Sequence, residues 1–74
     1  MLKEMVEERL IGEFTTAREE LLDMAEELIE EIGDEESTAT LCGDYVFIEN
    51  EEESIRLRIE CAGRTWYFDK CEER

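Results

Sequence analysis

The 74 residues carry 23 acidic and 8 basic side chains with no histidine, a formal net charge of −15. A field of that sign repels phosphate backbones and anionic lipid, so direct binding to nucleic acid or to a membrane surface is not expected. A chain this short buries only about 60% of the surface its unfolded form exposes, too little for a large enclosed substrate cavity; its 42% hydrophobic content is nonetheless enough for a folded core.

The apolar residues Leu2, Met5, Val6 and Leu10 recur at spacings of three and four, with Glu4, Glu7, Glu8 and Arg9 between them, and predict a short amphipathic helix from Leu2 to Ile11. Gly12 interrupts that pattern. Thr16-Ala17-Arg18-Glu19 then matches the Thr-x-x-Glu capping box, which satisfies free amides at a helix start, so a break is expected over 12–15 and a second helix from Thr16. In it Ala17, Leu21, Leu22, Met24, Ala25, Leu28, Ile29 and Ile32 keep helical spacing up to Gly33, a residue suited to ending a helix. The opposite surface carries Glu19, Glu20, Asp23, Glu26, Glu27, Glu30 and Glu31. Like charges four apart repel, and Glu30 and Glu31 fall at the negative end of the helix dipole, so this face costs stability.

After a polar linker, Asp34 to Ser37, the period changes from 3.6 to 2. Thr38 to Cys42 reads as an edge strand ending at a Gly43-Asp44 turn, and Tyr45 to Ile48 as the next strand. Ser54 to Cys61 alternates most strictly: Ile55, Leu57, Ile59 and Cys61 share one face, and Arg56, Arg58 and Glu60 the other. Two-residue turns at Gly43-Asp44 and Gly63-Arg64, with a loop at Asn50 to Glu53, set Leu41 opposite Val46, Ile48 opposite Ile55, Val46 opposite Leu57, Cys61 opposite Trp66, Ile59 opposite Phe68 and Arg58 opposite Asp69. All these turns agree on one buried face.

The expected fold is α+β: a two-layer sandwich with two N-terminal helices on one face of a four-stranded antiparallel meander, order 1-2-3-4. It forms a single domain over 1–74, helical over 1–33 and sheet over 38–71. Four strands at about 4.8 Å span roughly 19 Å, which two helices about 10 Å apart cover. The alternative is one helix from Leu2 to Ile32; it would run about 45 Å, overhang strands of about 20 Å and need a second chain.

No catalytic set can be assembled. Without histidine there is no ready acid-base group, the thiols have no basic neighbour to activate them, and carboxylate pairs are too numerous to single one out, so an enzyme is not expected and no cofactor is implied. Cys42, Cys61 and Cys71 are an odd number on separate strands. The pairing above turns Cys61 to the core and Cys42 and Cys71 outward, too far apart for a disulfide. With no leader or long apolar run, the cytoplasm is the expected compartment. Asp34-Glu35-Glu36 and Glu49 to Glu53 offer weak Ca²⁺ or Mg²⁺ binding at most, because neither has the spacing of a calcium loop.

Two surfaces remain as candidates. Tyr45, Phe47, Arg56, Arg58 and Tyr67 share the outer sheet face, an aromatic and arginine composition typical of interface hot spots, and predict a homodimer through the sheet; cross-strand pairs whose rings are covered by arginine stems would look the same in sequence. The acidic helix face, Glu19, Glu20, Asp23, Glu26, Glu27, Glu30 and Glu31, predicts binding to a basic protein partner. Its carboxylates recur each turn, about 5.4 Å apart, near the spacing of phosphates along a strand, so the chain is expected to act as a nucleic-acid mimic or inhibitor. Residues 1–36 hold 14 acids and 3 bases, net −11, against 9 and 5, net −4, in 37–74. The alternatives are a homodimeric structural domain using the sheet face and a weak divalent-cation binder.

Overall fold

The computed structural model describes residues 2–74, and its architecture is set by the alternating segment. Ile55, Leu57 and Ile59 are buried and Arg56, Arg58 and Glu60 half-buried on the opposite face of a strand spanning Ser54–Ala62. Antiparallel neighbours lie on both sides of it. In chain order the elements are α1 (Leu2–Leu10), β1 (Phe14–Thr15), α2 (Glu19–Glu31), β2 (Thr38–Cys42), β3 (Tyr45–Glu49), β4 (Ser54–Ala62) and β5 (Thr65–Glu73). The strands form one antiparallel sheet in the order β1-β5-β4-β3-β2.

The α+β class and the two-helix layer agree with the sequence, but the sheet has five strands rather than a four-stranded meander. The added strand is the pair Phe14–Thr15, which hydrogen-bonds the outer edge of β5 opposite Tyr67 and Trp66. A two-residue strand has no periodicity to read. Its formation also replaces the expected capping box: Thr15 Oγ1 donates to the Ala17 carbonyl, Thr16 is exposed, and α2 starts only at Glu19 without a side-chain cap. The first turn is closed by tight bonds from the Glu20 N–H to the Ala17 carbonyl and from the Leu21 N–H to the Arg18 carbonyl. The break between helices excludes the single long helix.

At its other end α2 stops as its sequence dictates. Gly33 takes φ +73°, its N–H donates to the Glu30 carbonyl, and the Asp34 N–H donates to the Ile29 carbonyl, the Schellman arrangement that satisfies the last free carbonyls. α1 packs on β5, and α2 on β2 and β3. Leu2, Val6 and Leu10 of α1 and Leu21, Ala25 and Leu28 of α2, each set at helical spacing, close one contiguous core with Val46, Ile48, Ile55, Leu57, Ile59, Phe68 and Cys71.

The registers of β2 with β3 and of β3 with β4 are those the turn lengths require, including Leu41 opposite Val46 and Val46 opposite Leu57. Between β4 and β5, Cys61 meets Trp66 and Ile59 meets Phe68, but the expected pairing of Arg58 with Asp69 is not formed. A bulge there leaves Asp69 as the extra residue and sets Arg58 opposite Lys70. The physical reason lies in the next residue, Lys70. An unbroken register would aim Lys70 at the core opposite Leu57, and burying an unpaired ammonium there is prohibitive. The bulge shifts the phase by one, so that Lys70 faces water and Cys71 faces Leu57.

The expected burial of Cys61 and exposure of Cys71 are therefore exchanged, while Cys42 is exposed as expected. Cys71 is buried at 7% exposure, whereas Cys61, although on the core side of β4, is exposed along with Cys42. The cause is length: nine-residue strands run about 30 Å, while α1 and α2 cover about 13 and 20 Å, so the β4–β5 hairpin tip projects past the helix layer. All three thiols are free. Burial, with the Glu7 carboxylate nearby, pushes the Cys71 thiol up to about 11. In native protein, Cys42 and Cys61 should react promptly with a small disulfide reagent, and Cys71 only on unfolding. Peptide mapping of the labelled protein checks this, and prompt labelling of Cys71 would contradict the bulged register.

Candidate functional site

The acidic face of α2 is open along its length. Glu19, Glu20, Asp23, Glu26, Glu27, Glu30 and Glu31 are all exposed, because the buried stripe of Leu21, Ala25 and Leu28 turns the other side of the helix into the core. Among the described residues the only ion pair to this face joins Arg9 of α1 to Glu31 at 2.7 Å. That pairing holds the Arg9 guanidinium above its usual range. No basic residue occupies the last turn of α2 to offset the dipole, so Glu30 adds to it. Apart from Glu31, the face is a row of carboxylates with no counterion among the described residues.

The outer sheet face has a different character. The structure does bring Tyr45, Phe47, Arg56, Arg58 and Tyr67 together, but the three rings are half-buried rather than open. The Arg56 guanidinium lies 4.9 Å over the Tyr45 ring and that of Arg74 4.8 Å over Phe47. The cations are also paired: Arg56 with Glu72 at 3.5 Å, Arg58 with Glu60 at 2.6 Å and Asp69 at 3.7 Å, and Arg74 with Glu49 at 3.6 Å. The one widely open ring is Phe14, 61% exposed, whose centroid lies 5.2 Å from that of Tyr67. This face is largely covered by its own arginine stems.

A third feature was not legible in the sequence. An open groove of about 680 Å³ lies where the start of α1, the end of α2 and the β3–β4 loop meet. Leu2, Met5 and Ile32 supply its apolar surface, with Met5 40% exposed. Among the described residues six carboxylates rim it, from Glu4, Glu8, Asp34, Glu36, Glu52 and Glu53, and no lysine or arginine lines it. These residues come from three segments scattered over 52 positions, and only the fold joins them. The exposed apolar Met5 beside Glu4 and Glu8 was the one available signal; in sequence it reads as part of the buried stripe.

The groove's loop walls are tied to each other. Asp34 Oδ1 accepts from the Glu36 and Ser37 N–H groups, both at 3.1 Å, and its other oxygen accepts from the Ser37 hydroxyl. Asn50 Nδ2 donates to Ser37 Oγ at 3.1 Å, while Asn50 Oδ1 accepts from the Glu52 and Glu53 N–H groups at 2.7 Å. The bond from the Ser37 hydroxyl, with those from the Glu36 and Ser37 N–H groups, holds the Asp34 carboxyl below its usual range. Its contribution to stability is therefore complete above the ordinary aspartate range and is lost as pH falls through the lowered value. Asn50→Ala should lower stability by about 1–2 kcal/mol, because it strips the turn of its acceptor and the buried Ser37 of a partner. Urea unfolding measures this, and an unchanged midpoint would show that the two loops are not coupled.

Among the described residues no three carboxylate or thiol groups converge where they could hold a metal ion. No helix among the described residues is long and apolar enough to cross a membrane. No protein-family model matches the chain, and comparison with curated proteins and with solved structures returns no match either.

Proposed function

We propose that this chain is a small non-enzymatic interaction module that binds a basic protein partner through the acidic face of α2, in the manner of a nucleic-acid mimic. The observation that carries the reading is the row of seven exposed carboxylates along one helix, of which, among the described residues, only Glu31 has a cation of its own. Internal ion pairs would have been simple to supply. The sheet face does supply them: four salt bridges join its arginines to Glu49, Glu60, Asp69 and Glu72. A row of uncompensated charge stabilises nothing within the chain, and it becomes favourable only when an external cation reaches it.

The partner is a protein surface rich in lysine and arginine, such as one that otherwise holds a phosphate backbone. The sheet face supports self-association less well, since its arginines already lie on its rings and in ion pairs. Capture from cell extract with wild-type protein and with Glu20→Gln, Glu27→Gln, Glu31→Gln, each at low and at high salt, tests the proposal. A basic protein should be retained by the wild type at low salt and released by either salt or the triple change.

A further inference from the structure

We propose that the groove formed by the start of α1, the end of α2 and the β3–β4 loop is the docking site for a cationic amphipathic segment of the partner protein. The segment seats an apolar side chain on Leu2, Met5 and Ile32 and sets lysines or arginines against the acidic rim. This rests on the reading of the chain as a module for a basic partner, and adds where the partner's chain enters and what side chain it must carry there.

The occupant follows from the chemistry of the walls. The groove volume, about 680 Å³, lies within the range that binds a ligand or a few side chains. Met5 is one of only two large apolar side chains the described surface leaves open, and it belongs to the groove rather than to a scattered background. A purely cationic occupant would leave that apolar surface wet, and a purely apolar one would strip water from the acidic rim without repaying it. An apolar anchor flanked by cations satisfies both. A second copy of the chain does not, because its own net charge is −15. The rim is also preorganised: the Asp34, Ser37 and Asn50 hydrogen bonds fix the two loops before anything binds.

Two synthetic peptides of equal charge test the inference, one carrying leucines at helical spacing among lysines and arginines, the other with serine at each leucine position. Binding is measured by calorimetry to the wild type, to Met5→Gln, which keeps the length and helix preference of the side chain, and to Glu20→Gln, Glu27→Gln, Glu31→Gln. The leucine peptide should bind the wild type about tenfold or more tightly than the serine peptide, as expected for burying one apolar side chain. That advantage should shrink to near unity in Met5→Gln and persist in the triple variant. Equal affinity of the two peptides for the wild type, with both weakened by the triple change, would overturn the groove while leaving the acidic-face reading intact. Binding of neither peptide would overturn both. A wild-type dimer that Met5→Gln dissociates would show that a second copy fills the groove, and would overturn the inference as well.

Discussion

Phe68→Ala should cost about 3–5 kcal/mol, the range for deleting a buried aromatic ring from a packed core. Phe68 is 1% exposed and the largest of the fully buried side chains. It stands opposite Ile59, one residue before the bulge, where a collapsed neighbour cannot readily fill the space because β4 and β5 are already committed to register on both sides. Domains of this length are stable by only about 4–11 kcal/mol, and the self-repulsion of a net charge of −15 draws on that margin. The variant should therefore be largely unfolded at low salt and partly rescued when salt screens the repulsion. Phe14→Ala is the control. Its ring is 61% exposed and touches chiefly Tyr67, so the loss should stay below about 1 kcal/mol. Circular dichroism against urea separates the two; equal losses would show that the aromatic on β1, rather than the β4–β5 register, holds the hairpin in place.

The second large effect falls on binding. Glu20, Glu27 and Glu31 lie along the exposed side of α2, and Glu27 and Glu31 are four residues apart. Changing all three to glutamine relieves like-charge repulsion and should raise the stability of the isolated chain by a few tenths of a kcal/mol per relieved pair, roughly 0.2–0.5. That gain is reduced by the loss of the exposed, solvent-screened Arg9–Glu31 ion pair. For the complex the same change removes three charges from the contact and should weaken it by several tenfold steps, most strongly at low salt. A solubility coat would give a different result: a small change in stability and no change in any complex.

The helix-to-sheet division was legible because the hydrophobic period changes from 3.6 before Gly33 to 2 after Thr38, and the apolar stripes in the sequence face the core except at Met5 and Cys61, which are exposed. Strand pairing was legible wherever a two-residue turn set it. Between β4 and β5 a turn at Gly63-Arg64 determines the pairing only as far as Ile59 and Phe68; beyond that, the cost of burying Lys70 outweighs ladder regularity and a bulge intervenes. The pattern Phe68, Asp69, Lys70, Cys71 in fact contains the clue, since two consecutive charges between core residues break the alternation. β1 left no comparable trace. Of the candidate surfaces, the acidic face of α2 was readable residue by residue, because a helix with one dry stripe must expose the rest. The sheet face was readable in composition but not in state, as no sequence pattern tells an open ring from one lying under a guanidinium. The groove depends on three distant segments meeting, which only tertiary structure supplies.

The most direct test of the central claim is the salt dependence of affinity for the captured partner, measured with purified components for the wild type and for Glu20→Gln, Glu27→Gln, Glu31→Gln. If the carboxylates of α2 make the contact, wild-type affinity falls steeply and continuously as salt rises, and the triple variant binds more weakly with a shallower slope, since fewer charges are left to screen. Coincident curves for the two proteins would contradict the account and return the acidic face to a solvated surface.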